Sequence, residues 1–191
     1  MRLLIFGPQL SGKGTQAGRI AQACRIEHIT TGNILREMFA HGSAATKKIL
    51  APSMLRGILL SDEKMNRIVA QYLAKHPDGF ILDGYPRTMN QTRFLESYLK
   101  KHHEAMSAAI FLDVPHAELM KRLNNRIKHE KRADDHPDIL KSRLAQYEHK
   151  TIPVVNHYKK RGLLLDINGV QTRSNVFKDI LKALRKEKLL E

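Results

Sequence analysis

Four apolar residues, Leu3-Leu4-Ile5-Phe6, run into the glycine-rich segment Gly7-Pro8-Gln9-Leu10-Ser11-Gly12-Lys13-Gly14-Thr15, and a helical pattern through Ile20 and Ala21 follows. No other part of the chain restricts the fold so tightly. Strand, glycine loop and helix in direct succession let backbone N–H groups curl around phosphate oxygens while the helix offers its positive end. Lys13 is placed to reach outer phosphates, and the Thr15 hydroxyl, or a water it holds, to face Mg²⁺. The same residues could serve only as a turn between a strand and a helix. Lysine, hydroxyl and both flanks together favour phosphate.

The remaining pattern agrees with that start. Short apolar strands, predicted at Arg2–Phe6, Ile26–Thr30, Phe80–Asp83, Ala108–Asp113 and Leu163–Ile167, alternate with helical stretches. This is the signature of a mainly parallel sheet covered on both faces. Ser61 reads as a helix N-cap with Asp62 and Glu63 suiting the dipole, and Met65, Ile68, Val69, Tyr72 and Leu73 mark a core face behind it. Pro115 opens a helix carrying Leu119, Leu123 and Ile127; Pro137 opens another, which the interior Pro153 should kink and Gly162 should end. A last helix starts near Ser174. Residues Thr31 to Leu60 carry several glycines, with Pro52 between helical fragments, and Lys128 to His136 are almost wholly charged; both read as insertions on the scaffold.

Composition bounds the partners. A chain of 191 residues with 42% apolar and 27% charged residues suits one globular domain with one main core. Its net charge of +14 suits polyanionic ligands, nucleotides or nucleic acid, although a basic surface without a partner has the same composition. One cysteine, Cys24, excludes an intrachain disulfide and a cysteine zinc cluster, and its place in a helical stretch reads as a core boundary. No signal peptide or membrane-length apolar run is evident, so a cytoplasmic setting is expected.

The second half of a nucleotide site is spread along the chain. Asp83 closes the strand Phe80-Ile81-Leu82, where a carboxylate faces the metal shell of a bound nucleotide or, alternatively, caps the next turn. Gly84-Tyr85-Pro86-Arg87-Thr88 and Gln91 follow. Arg122 and Arg126 share one helix face, as a solvated pair also would; Arg132 lies in the charged stretch beside Asp134 and Asp135; Arg143 lies on the next helix; Arg36 follows Thr31-Gly32. Planar guanidinium groups bind phosphate bidentately and keep their charge in a closed site.

With these residues the chain resembles the adenylate kinases, the short-lid type within the nucleoside monophosphate kinases. The likeness runs nearly end to end, on Gly7–Gln16, His28–Arg36, Phe80–Thr88, Asp113–Pro115 with Arg122 and Arg126, Arg132–Asp135 with Arg143, and Ile167–Gly169. It implies an α/β fold of P-loop NTPase type, three-layered, with a five-stranded parallel sheet. It also implies a core at residues 1–29, 61–126 and 137–191, a helical NMP-binding insertion at about 30–60 and a short lid at about 127–136.

The resemblance further implies reversible, Mg²⁺-dependent phosphoryl transfer from ATP to AMP. Gly12, Lys13, Gly14 and Thr15 would hold the ATP phosphates; Arg122 would lie along the adenine with Gly169 nearby, and Arg126 and Arg132 would reach the phosphates. Thr31, Gly84 and Gln91 would form the AMP pocket, Arg36 and Arg87 would hold its phosphate, and Arg132 and Arg143 would bridge both nucleotides. Lys13, Arg87, Arg122, Arg132 and Arg143 would thus be the catalytic set, with Thr15 and, through water, Asp83 at the metal. Asp134 and Asp135 match carboxylates that stabilise a closed lid. A monomer is the family habit.

Three departures mark this sequence. Leu10 stands where the family nearly always has glycine, Gln9 where proline is usual, and Asn33 where aspartate is common. Either the loop avoids the backbone angles glycine favours at Leu10 or it accepts strain there; the side chain could also shield the phosphates. Two other functions are weighed. A UMP or CMP kinase is disfavoured by Thr31 and Gln91. An RNA-associated module on the same fold is prompted by the net charge but lacks a basic stretch interleaved with aromatics.

Overall fold

The computed structural model describes residues 1–129 and 137–190, with the backbone alone described at 126–129 and 137–138. Its strands are β1 (Arg2–Phe6), β2 (Glu27–Thr30), β3 (Phe80–Asp83), β4 (Ala108–Asp113) and β5 (Leu164–Asn168). They form one parallel sheet in the order β2-β3-β1-β4-β5. β1 is central and buried on both faces, which is why it reads as an unbroken apolar run. Leu4 and Phe6 point into a core with Leu82, Leu95 and Tyr158, while Leu3 and Ile5 point into another with Ile20, Ile110 and Ile180. Each such aliphatic side chain, fully buried, stabilises the fold by about 1.5–3 kcal/mol.

The helices are α1 (Lys13–Cys24), α2 (Thr31–His41), α3 (Ala44–Arg56), α4 (Asp62–Leu73), α5 (Met89–Lys101), α6 (His116–His129), α7 (Pro137–Gln146), α8 (Ile152–Lys160) and α9 (Arg173–Lys186). α1 and α9 cover one face of the sheet, and α4, α5 and α8 the other. This is the three-layer α/β architecture the alternation predicted. A smaller apolar cluster, Val114, Leu119, Leu123, Leu140 and Leu144, joins α6 to α7 at one end of the molecule.

Several local expectations need correction. Pro52 lies inside α3 rather than between helices. Its ring removes one helical bond, to a carbonyl on an exposed helix that water can satisfy, and the chain beyond it is closed by Ile58 N donating to the Pro52 carbonyl at 3.2 Å. Pro153 does not lie within one uninterrupted α-helix: α7 runs to Gln146, a π-helical turn spans Tyr147–Thr151, and α8 follows with Pro153 in its first turn. There a missing N–H costs nothing. Ser61 occupies the N-cap of α4, yet its hydroxyl accepts no helical N–H. Side-chain caps are instead made by Ser43, Thr88 and Thr172, and Thr172 starts α9. β2 starts after Ile26, and β5 runs from Leu164 to Asn168, each one residue later than predicted. Cys24 is half-buried at the edge of the α1–α9 core, and burial raises its thiol pKa.

Candidate functional site

In an open parallel sheet the ligand crevice lies beyond the carboxyl ends of the strands, beside the strand where the winding reverses. β1 is that strand, and pairing of Ile5 with Asp83 and of Phe6 with Phe111 brings the ends of β1, β3 and β4 to one level. A cleft of about 1080 Å³ opens there, lined by the glycine loop, the turns after β2 and β3, and side chains from α6 and α7.

The loop is built as its sequence predicted, with one addition. Gly12 has φ 93° at the N-cap of α1, and Lys13 donates from Nζ to the Pro8 carbonyl at 2.7 Å, so the ammonium lies within the curl of the loop. Burial lowers the Lys13 pKa to about 8, against the opposing pull of Asp83. Thr15 is exposed at the start of α1, and a β-carbon on Gly14 would lie 3.4 Å from Asp83 Oδ2. Ser11 is 4% exposed, and its hydroxyl has no hydrogen-bond partner among the described residues. Leu10 adopts φ 71°, the left-handed region, so the loop carries a strain of order 1–2 kcal/mol rather than avoiding those angles. Its side chain packs against the α6–α7 cluster.

Asp83 is 8% exposed at the end of β3. Burial alone would raise its pKa, but contact with His28 Nε2 at 3.8 Å and the charges of Lys13, His28 and Arg87 outweigh it and hold the carboxyl below the usual range. An anionic oxygen beside the loop therefore persists at neutral pH. No cluster of three or more His, Cys, Asp or Glu that could cage a metal occurs among the described residues. That donor set fits Mg²⁺, which is usually held by one or two carboxylates, water and substrate phosphates.

Arg122 is tied on several sides. Nε donates to Glu118 Oε1 at 2.8 Å, one terminal nitrogen to the carbonyls of Leu10 (3.3 Å) and Ser11 (3.2 Å), and the other to Gly169 O at 2.8 Å. One guanidinium thus joins α6, the glycine loop and the turn after β5. Gly169 must be glycine there, since a β-carbon would lie 2.4 Å from Val114 Cγ2.

The opposite wall is assembled from four segments. Thr31, 1% exposed, donates from Oγ1 to the Asp83 carbonyl at 3.2 Å. Gly84, with φ 85°, sits so close to Thr31 that a β-carbon would lie 2.6 Å from its Oγ1. Arg87 Nε donates to Gly84 O at 2.7 Å, and burial lowers its pKa, with Arg143 pressing the same way and Asp83 opposing. Both guanidinium groups line the cleft, near enough for the charge of one to act on the other. Arg143 also donates to Gln9 Oε1 at 3.4 Å, while Arg36 donates to Asn33 Oδ1 at the exposed mouth. Gln91 is buried and bonded at both ends of its amide: Oε1 accepts from Arg87 N at 2.7 Å, and Nε2 donates to Asp62 Oδ1 at 2.8 Å. One amide N–H remains for a ligand.

Three contributors escaped the sequence reading. Gln146 clasps the α3–α4 connection, accepting from Leu59 N at 3.1 Å and donating to Gly57 O at 2.8 Å. Thr151 Oγ1 donates to the Arg87 carbonyl at 3.2 Å, and Asp62 holds both Thr88 and Gln91. None has a local signal, because each works through contacts 26 to 89 residues away in sequence. Arg132, Asp134 and Asp135, and the side chain of Arg126, lie outside the described residues.

A glycine loop between strand and helix, an ionised carboxylate beside it and arginines lining the same cleft at the end of a parallel sheet are the build of a P-loop phosphotransferase of the nucleoside monophosphate kinase class. Residues 5–163 match the family described as adenylate kinase. The chain is 37% identical to an adenylate kinase of Petrotoga mobilis (97% of this chain, 98% of the relative). It is 41% identical to one of Xanthomonas campestris pv. campestris (96% and 99%) and 39% identical to one of Bacteroides fragilis (96% and 98%). The chain belongs to the adenylate kinase family. No helix among the described residues is long and apolar enough to cross a membrane.

Proposed function

We propose that this protein catalyses reversible phosphoryl transfer between MgATP and AMP, giving two ADP. The observation that carries the reading is one cleft lined both by the glycine loop with Lys13 and by Arg87 and Arg143, close enough for their charges to act on one another. Burial and the nearby Arg143 both weigh against the Arg87 charge, and a transferring phosphoryl group is an anion that would favour it.

In this mechanism the chain supplies position and charge. Gly12, Lys13, Gly14 and Thr15 hold the donor phosphates through backbone N–H groups, ammonium and hydroxyl. Arg122, its plane fixed by in-plane hydrogen bonds, stacks along the donor adenine, with Gly169 beneath. Arg126 and Arg132 reach the donor phosphates. Arg36 and Arg87 hold the AMP phosphate; Thr31, Gly84 and the remaining N–H of Gln91 line its pocket; Arg132 and Arg143 span both nucleotides. Mg²⁺, held by Thr15 and through water by Asp83, would neutralise charge on the donor phosphates. No general base is needed, because the AMP phosphate is already an anionic nucleophile. We infer that about residues 30–60 form the acceptor-binding insertion and about 127–136 the lid, and that their closure excludes water. A cytoplasmic monomer that does not bind nucleic acid completes the proposal.

The test is to incubate the protein with MgATP and each of AMP, GMP, CMP and UMP and to follow ADP. Fast ADP formation with AMP alone is expected. No ADP from AMP sinks the proposal. Preference for UMP or CMP, or tight salt-dependent RNA binding without transfer, would put one of the competing readings in its place.

A further inference from the structure

The strained residue of the glycine loop is held from outside the loop. Leu10 has φ 71°, a conformation that leucine adopts only when its surroundings impose it. The surroundings are α6 and α7: the half-buried Leu10 side chain packs against a cluster to which α6 contributes Leu119 and Leu123, and α7 Leu140 and Leu144. Leu119, Arg122 and Leu123 are spaced three and four apart, so they share one face of α6. That face grips the same turn twice, by apolar contact with the Leu10 side chain and through Arg122 bonded to the Leu10 and Ser11 carbonyls. α7 contributes Leu140 and Leu144 to the same cluster and holds the loop directly through Arg143 on Gln9.

We propose that Leu10 is a positioning residue that locks the shape of the phosphate-binding loop to the helix pair carrying Arg122 and Arg143, so that the donor side is preorganised before nucleotide arrives. A glycine would reach the same φ without strain but could not enter the cluster. The side chain, not the backbone angle, therefore makes the link, and the packing is what holds leucine in that conformation. Preorganisation of this kind lowers the ordering cost of binding on the side that is held. The effect falls more on the donor nucleotide than on the acceptor, because Leu10 lies in the donor loop whereas Thr31, Arg87 and Gln91 are held by hydrogen bonds of their own. This inference rests on the donor-site reading of the loop given above.

The experiment is equilibrium titration of MgATP and, separately, AMP against the full chain and its L10A, L10G, L10M, L123A and L10A/L123A variants. L10A should weaken MgATP binding roughly five- to tenfold while AMP changes by less than about twofold. L10G should be no better than L10A despite its relaxed backbone, and L10M, which can still fill the cluster, should stay close to the parent. L10A and L123A should be clearly less than additive, as expected for two side chains of one apolar cluster. Parent-like MgATP affinity in L10G, equal weakening of AMP and MgATP in L10A, or strict additivity would each overturn the proposal. The Leu10 series carries the test alone should truncation of buried Leu123 unfold the chain. Failure of the parent itself to bind MgATP would instead remove the donor-site reading, and this proposal with it.

Discussion

The two ends of the cleft are built in opposite ways. The phosphate loop is one continuous segment, Gly7 to Thr15, shaped by its own glycines and by the strand and helix on either side, with α6 and α7 gripping it only at the turn around Leu10. The facing wall comes from the turns after β2 and β3, the α3–α4 connection and the end of α7, and it is fixed by hydrogen bonds between them. A contiguous site depends on local backbone geometry, so substitutions there act directly on the ligand. A composite site depends on the placing of whole elements, so residues that never meet the ligand can still control it.

The sharpest way to break this comparison is Arg87→Ala. It should lower kcat/KM for AMP on the order of 10²–10³, while MgATP affinity in a direct titration stays near the parent value. Equal loss on both nucleotides would mean that the two ends do not work separately.

The loop end makes a pH prediction of its own. Because burial holds Lys13 near 8, the free enzyme loses that charge as pH rises through about 8, whereas at lower pH the ammonium is present for phosphate. MgATP affinity should therefore fall above that point, by up to about tenfold per pH unit, and Lys13→Arg should flatten the fall. The sign for stability is opposite. A lysine pKa below its unfolded value penalises the folded state at low pH, and the penalty is relieved between pH 8 and roughly 10.4, where the unfolded chain binds more protons. Apo-protein melting temperatures across that window would check it.

A smaller effect tests the composite wall. Gln146→Leu removes both side-chain bonds to the α3–α4 connection, each worth about 1 kcal/mol, and should raise KM for AMP roughly five- to thirtyfold with little change in MgATP binding. An unchanged KM would show that the clasp is structural only. The smallest change should come from Asn33→Asp at the exposed mouth, where a charge added beside Arg36 should move AMP KM by no more than about threefold. A larger shift, measured at low and high salt, would place Asn33 inside the working site.

Legibility in the sequence followed the same division. The apolar run Leu3–Phe6 and the spacing Gly7-to-Thr15 were enough to place a strand, a phosphate loop and a helix, because their causes are local: side-chain alternation, glycine backbone freedom and a helix N-terminus. The arginines could be picked out individually, but not their pairing. That Arg87 lies near Arg143, or that Arg122 spends its N–H groups on three backbone carbonyls and a glutamate, follows only once the parallel sheet has brought distant turns to one level. The readings of Pro52 and Pro153 needed adjustment for a related reason. A proline marks a break only when nothing else supplies a way through, and an exposed helix at Pro52 and a π-helical turn ahead of Pro153 both did.

By itself, then, the sequence determined the class of architecture and the phosphate-binding loop, since both arise from the periodicity and conformational limits of neighbouring residues. Only the tertiary structure decided what Leu10 does in that loop. The conformation is one that leucine alone disfavours, and it is held because α6 and α7, more than a hundred residues further along, close an apolar cluster around its side chain.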